Sequence, residues 1–221
     1  VLVAELVKGL PFKFYACSAI DALIHAVESY VSPKSNPYTQ LYCKAAIEII
    51  LDVFRGIAEK GEAYRFERLD DMLMASNFAG IAFGNTGVGA VHALSYPLGG
   101  TYHVPHGEAN YQFFTAVFKV YNEKDPNGRI RELNALLQQM LGTESDPYAA
   151  MEQLLDKILP RPALSSYGMT DTMGRMHSDA QFAGSSSVPA HVEMMGLIGM
   201  GNNPMVGATV ACAVAVEEAM K

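Results

Sequence analysis

Residues 84–110, GNTGVGAVHALSYPLGGTYHVPHGEAN, constrain this chain more than any other stretch. The segment is rich in glycine, almost free of charge, and carries three of the chain's six histidines: His92, His103 and His106. A helix that is apolar all round has to be buried, so residues 87–98 are expected to form a helix enclosed by others. Glycine permits close approach of backbone to backbone or ligand. Gly84, Gly87, Gly89, Gly99, Gly100 and Gly107 do not form a G-x-G-x-x-G turn between a strand and a helix, so no dinucleotide-binding Rossmann unit is expected.

The remaining text reads as helices. Residues 17–32 form one, stopped by Ser32-Pro33. Asn36 caps a long second helix with Pro37 in its first turn, and Leu41, Ala45, Ile47, Ile50, Leu51, Phe54 and Ile57 form its apolar stripe up to Gly61. A helix over 64–82 turns Leu69, Leu73, Met74 and Phe78 inward. After a loop at 99–105 comes a helix over 106–121, then a turn at 122–128. Ile130, Leu133, Leu137, Met140 and Leu141 mark a helix closed by Gly142. Asp146-Pro147 repeats the cap-then-proline signal before Met151, Leu154, Leu155 and Ile158. A loop at 160–169, a short helix at 170–182, a break at the serines 185–187, a methionine-rich 190–200 and a last helix over 205–220 complete the chain. No stretch alternates strictly enough to predict a sheet. The expectation is an all-α protein, one domain of eight or nine helices over residues 1–221. At 221 residues and 50% hydrophobic content it can bury one substantial core.

Charged residues are 18% and the net charge is −7, which argues against the basic face that nucleic-acid binding needs. The apolar run 205–216 is too short to span a bilayer. The opening VLVAELVKGLPF has no basic stretch leading into a long apolar core, so no signal peptide is expected. Cys17, Cys43 and Cys212 are odd in number and far apart; they do not read as a disulfide framework, and a reducing cytoplasm is the default.

Asp21 and His25 are four apart on one helix and leave the same face one turn apart. His92 and His106 are joined by a glycine-bearing loop that can fold back. One carboxylate and three imidazoles suit a first-row divalent ion and leave positions open for a substrate oxygen. Each residue also has a plainer reading: a helix-surface pair for Asp21 and His25, a core histidine for His92, a residue near a helix start for His106. Tyr96, one turn after His92, either holds a reacting oxygen or is a buried tyrosine with a satisfied hydroxyl. His103 is a proton carrier, a hydrogen-bond donor behind the site or an exposed loop residue. His177 and His191 read as surface residues. Glu28 either supports the site or pairs with a basic residue. A metal-dependent hydrolase with Glu28 or Glu108 as base, and a non-catalytic helical domain with structural histidines, remain alternatives at this point.

SAIDALIHAVESYVS (18–32) and GAVHALSYPLGGTYHVPHGEAN (89–110) together resemble the two signature stretches of the iron-dependent alcohol dehydrogenase family. The resemblance implies Asp21, His25, His92 and His106 as metal ligands, Fe²⁺ or Zn²⁺ as the ion, and an all-helical metal-binding half. It further implies an α/β half that binds NAD or NADP, which these 221 residues do not match. The chain is therefore expected to be the metal-binding half of a longer dehydrogenase, inactive alone, acting with that half on a small-molecule alcohol or aldehyde; a homodimer is left open. Where many members carry a further histidine this chain has Tyr96, which with His103 is the candidate for proton transfer. The form HALSYPLGGTYHVPHGEANY is most similar to the branch that interconverts 4-hydroxybutyrate and succinic semialdehyde. Residues 184–221 do not resemble the family's usual polar closing helices.

Overall fold

A computed structural model describes residues 1–170. The expectations for 171–221, His177 and His191 among them, lie outside the described residues. Within them the chain is all-helical: α1 (Phe12–Val31), α2 (Pro37–Lys60), α3 (Leu69–Thr86), α4 (Ala90–Tyr102), α5 (His106–Lys124), α6 (Gly128–Leu141) and α7 (Pro147–Ile158), with 3-10 turns at Ala4–Val7, Glu62–Glu67 and Leu164–Tyr167.

The predicted start signals are built as hydrogen bonds. Asn36 accepts from the amides of Tyr38 and Thr39, while the Thr39 hydroxyl accepts from the Asn36 amide, a reciprocal cap at the start of α2. Asp146 accepts from the Tyr148 amide at the start of α7. These side chains satisfy amides that have no partner inside the helix.

Helix α1 is the centre of the fold and packs against α2, α3, α5 and α6. Ile20, Leu23, Ile24 and Val27 are wholly buried, each contributing about 1.5–3 kcal/mol. Around them stand Ile47, Ile50, Leu51 and Phe54 of α2, Phe114 and Phe118 of α5, Leu133 and Leu137 of α6, and Met151 and Leu155 of α7.

Five expectations are corrected. Helix α1 begins five residues before the expected start, because Phe12 to Ala16 continue the helix behind Pro11 and the Tyr15 amide reaches the Pro11 carbonyl. The single helix expected at 64–82 is a 3-10 turn followed by α3. In α3 the buried face is Met72, Ala75, Ala79 and Ala82, whereas Leu73, Met74 and Phe78 are half-buried; small side chains let α3 lie close to α1 and α2. Leu41, expected in the apolar stripe of α2, is 69% exposed. Helix α4 carries on through Pro97 to Tyr102, over ground expected to be loop, and ends at His103 in the left-handed conformation (φ 56°).

Candidate metal centre

Three helices meet where α1 passes the start of α5 and the flank of α4. The approach depends on Gly107: a Cβ there would collide with the Cys17 carbonyl and come within 3.3 Å of the Asp21 Cβ. The resulting close contact sets His106, at the first position of α5, beside Asp21 on α1.

Asp21, His25, His92 and His106 each present one ligand atom, and these atoms all lie within 4.8 Å of one another. Asp21 is the hub. Its Oδ1 is 3.7 Å from His92 Nε2 and 3.8 Å from His106 Nε2, and its Oδ2 is 3.8 Å from His25 Nδ1. These separations are too long for hydrogen bonds and suit donors that surround a common point. His92 Nε2 is buried and has no hydrogen-bond partner among the described residues, an arrangement that costs stability unless something fills it. Donor types and spacing fit a divalent ion of the Fe²⁺ or Zn²⁺ class.

Neighbouring groups hold the donors in place. Glu28 Oε2 is 2.6 Å from His92 Nδ1. Asn110, one turn after His106, donates from Nδ2 to Asp21 Oδ1 at 2.7 Å and lies 3.1 Å from His106 Nε2, while its Oδ1 accepts from the Ser95 hydroxyl. The rings form a row: Phe83 on His25 (4.2 Å), His25 on His92 (4.6 Å), His92 against His106 (5.2 Å), and Tyr96 facing His106 (6.5 Å). Burial pushes His25 down to about 4, more than offsetting the attraction of Asp21. It lowers His106 as well. Burial alone would raise the Asp21 carboxyl, but the three imidazoles and the Asn110 amide outweigh it and hold it below the usual carboxylate range. Anionic carboxylate with neutral imidazole is the protonation state that binds a cation.

The family model for the C-terminal part of the Fe-containing alcohol dehydrogenases matches residues 15–193. The chain belongs to the Fe-containing alcohol dehydrogenase family. It is 55% identical over 185 residues to a 4-hydroxybutyrate dehydrogenase of Clostridium kluyveri, covering 83% of this chain and 50% of that one. The structure of a 1,3-propanediol oxidoreductase superposes with a TM-score of 0.70 at 26% identity, over 87% of this chain and 54% of the other. A sulfoacetaldehyde reductase of Bifidobacterium kashiwanohense, solved in complex with NAD⁺, shares the fold (TM-score 0.68, 21% identity, 87% and 51% covered). The chain thus spans about half the length of these relatives.

Against this family background the other candidate residues divide. Tyr96 stands half-buried beside His106, on the side of α4 expected from its spacing to His92. His103 is exposed at the left-handed residue that closes α4. Both carboxylates considered as hydrolytic bases are engaged: Glu28 by His92 and the Val91 amide, Glu108 by Lys13 Nζ at 2.9 Å and the Tyr167 hydroxyl at 2.8 Å. Asn110, Ser95 and Phe83 escaped sequence reasoning. Asn110 was within reach of it, since it follows His106 by four on one helix; Phe83, on a separate helix, carried no such signal. Among the described residues no helix is long and apolar enough to cross a membrane.

Proposed function

We propose that this chain is the metal-binding half of an NAD(P)-dependent alcohol dehydrogenase that takes 4-hydroxybutyrate to succinic semialdehyde. The observation that carries the reading is the convergence of Asp21, His25, His92 and His106, with a bare buried nitrogen among them. The substrate follows from the likeness to the Clostridium kluyveri enzyme. The four residues would hold Fe²⁺ or Zn²⁺, and such an ion supplies Lewis acidity toward an alcohol oxygen.

The chain's own residues do the rest. Ionised Asp21 and neutral His25 give a cation a site that protons do not contest at neutral pH. Phe83 and Tyr96 stand at either end of the row of imidazoles, in which His92 is buried and His106 is open to solvent. Tyr96 holds the reacting oxygen by its hydroxyl, and His103, at the solvent end of α4, carries the proton away. The nicotinamide is held by the length of the relatives that this chain does not span, so the chain alone binds metal but does not oxidise the substrate.

The test joins the chain to the part of the Clostridium kluyveri enzyme that it does not match, and assays both forms with NAD⁺ and NADP⁺. Oxidation of 4-hydroxybutyrate by the joined protein only is the expected result. Turnover by the chain alone, or a joined protein that prefers a simple primary alcohol over 4-hydroxybutyrate, contradicts the reading.

A further inference from the structure

Helix α4 begins without a capping side chain of its own. Its N-cap is Gly89, which has none to offer. The first amides are satisfied instead from two other helices. The Ala90 amide donates to the Tyr121 hydroxyl of α5 at 3.0 Å, and the Val91 amide donates to Glu28 Oε1 of α1 at 2.8 Å. The absence of a side chain at Gly89 is what admits them, since a Cβ there would stand 2.8 Å from Glu28 Oε1 and 3.4 Å from the Tyr121 hydroxyl.

The other oxygen of the same carboxylate, Oε2, is 2.6 Å from His92 Nδ1, and the two side chains are 1% and 2% exposed. One buried glutamate therefore grips both the first turn of α4 and the histidine that the turn carries. A carboxylate oxygen only accepts, so Nδ1 must carry a ring proton, and in the neutral ring Nε2 is then bare. Nε2 is buried without a hydrogen-bond partner among the described residues, and it lies 3.7 Å from Asp21 Oδ1.

We propose that Glu28 is a positioning residue that fixes the Nδ1–H tautomer of His92 and aims its Nε2 lone pair at the centre of the four donors. The proposal rests on the metal-binding reading above and says which atom of the chain makes that reading possible at His92. Outer carboxylates of this kind fix the tautomer and orientation of a ligating histidine and raise its basicity. Tyr121, by contrast, caps the same helix and touches no donor, so it serves as the control for capping alone.

Glu28→Gln separates the two jobs. The amide oxygen of Gln must face the Val91 N–H to keep the cap, which turns its NH₂ toward His92 Nδ1. The ring then has to accept at Nδ1 and carry its proton on Nε2, where it blocks a cation.

The experiment is ¹⁵N NMR of the histidine side chains in the metal-free full chain at neutral pH, with titration of Zn²⁺ against a competing chelator. Wild type is expected to show a protonated Nδ1 and a bare Nε2 at His92. Glu28→Gln is expected to show the reverse, with Zn²⁺ affinity lower by about 10- to 100-fold, the range for lost outer partners of a ligating histidine. Tyr121→Phe is expected to lower the melting temperature and leave both the tautomer and the affinity as in wild type. An Nε2–H tautomer in wild type overturns the proposal, whatever the variants do. So does a Glu28→Gln protein that folds and keeps the wild-type tautomer. A wild type with the expected tautomer that takes up no Zn²⁺ sinks the metal-binding reading and leaves the tautomer assignment standing.

Discussion

The amide of Asn110 donates to Asp21 Oδ1 at 2.7 Å, tying the first turns of α5 to the middle of α1. Its side chain is fully buried, and its oxygen is engaged by Ser95. It ties together the two donors that come from different helices and lie farthest apart in sequence. Asn110→Ala removes the hydrogen bond to Asp21 Oδ1, while the Ser95 hydroxyl keeps the His92 carbonyl at 2.9 Å; the cost is about 1–3 kcal/mol. Asn110→Asp sets a second carboxylate against Asp21 and costs more in the absence of a cation. Thermal melts with and without Zn²⁺ check both. The Asp variant should gain more from Zn²⁺ than wild type does, because a cation relieves the repulsion.

Acid should loosen the native state in a defined window. His25 has its folded-state value pushed down to about 4 by burial, against 6.5 for the free side chain. Above pH 6.5 neither state binds the proton, and stability is complete. Between pH 6.5 and about 4 the unfolded chain takes up the proton and the native chain does not, so stability falls as pH falls. Below that it levels off for this group. The gap between 6.5 and about 4 corresponds to roughly 3 kcal/mol at most. Urea midpoints of the metal-free protein at pH 7, 5.5 and 4.5 measure the fall, and His25→Asn should flatten it.

Two glycine substitutions should act in opposite directions. Gly107→Ala drives a methyl group into the Cys17 backbone, which cannot yield without separating α5 from α1. A loss of about 3 kcal/mol is expected, together with loss of metal uptake. Gly80→Ala, inside α3 with open space around the new methyl, should gain about 0.5–1 kcal/mol. Unfolding curves for the pair give the comparison.

His103 occupies a left-handed backbone position that glycine adopts without strain. His103→Gly should therefore keep or slightly raise the melting temperature while removing the imidazole. In the joined enzyme it should lower kcat for 4-hydroxybutyrate by about 10²-fold, the low end for loss of a proton carrier. An unchanged kcat would assign the residue to capping alone.

Much of this was readable before any coordinates. Local rules written in adjacent residues worked: Asn36-Pro37 and Asp146-Pro147 start helices as their side-chain chemistry requires, and the spacing of Asp21 to His25 puts both on one face. Joining that pair to His92 and His106 needed the two signature stretches, because separation along the chain says nothing of distance in space. What escaped was set by packing between helices. The alanines 75, 79 and 82 are buried because α3 lies close to its neighbours, not because they are large. Pro97 is absorbed within α4 although proline usually ends a helix. The spacing of Asn110 to His106 puts both on one face of α5, but its bond to Asp21 depends on how α1 lies against α5.

The central claim is that four side chains from α1, α4 and α5 form one cation site, and metal titration of the full chain tests it most directly. The account predicts uptake of one Zn²⁺ or Fe²⁺ per chain, abolished in Asp21→Ala and in His106→Ala while the helical circular-dichroism signal is retained. Uptake that is undiminished in both variants would contradict it.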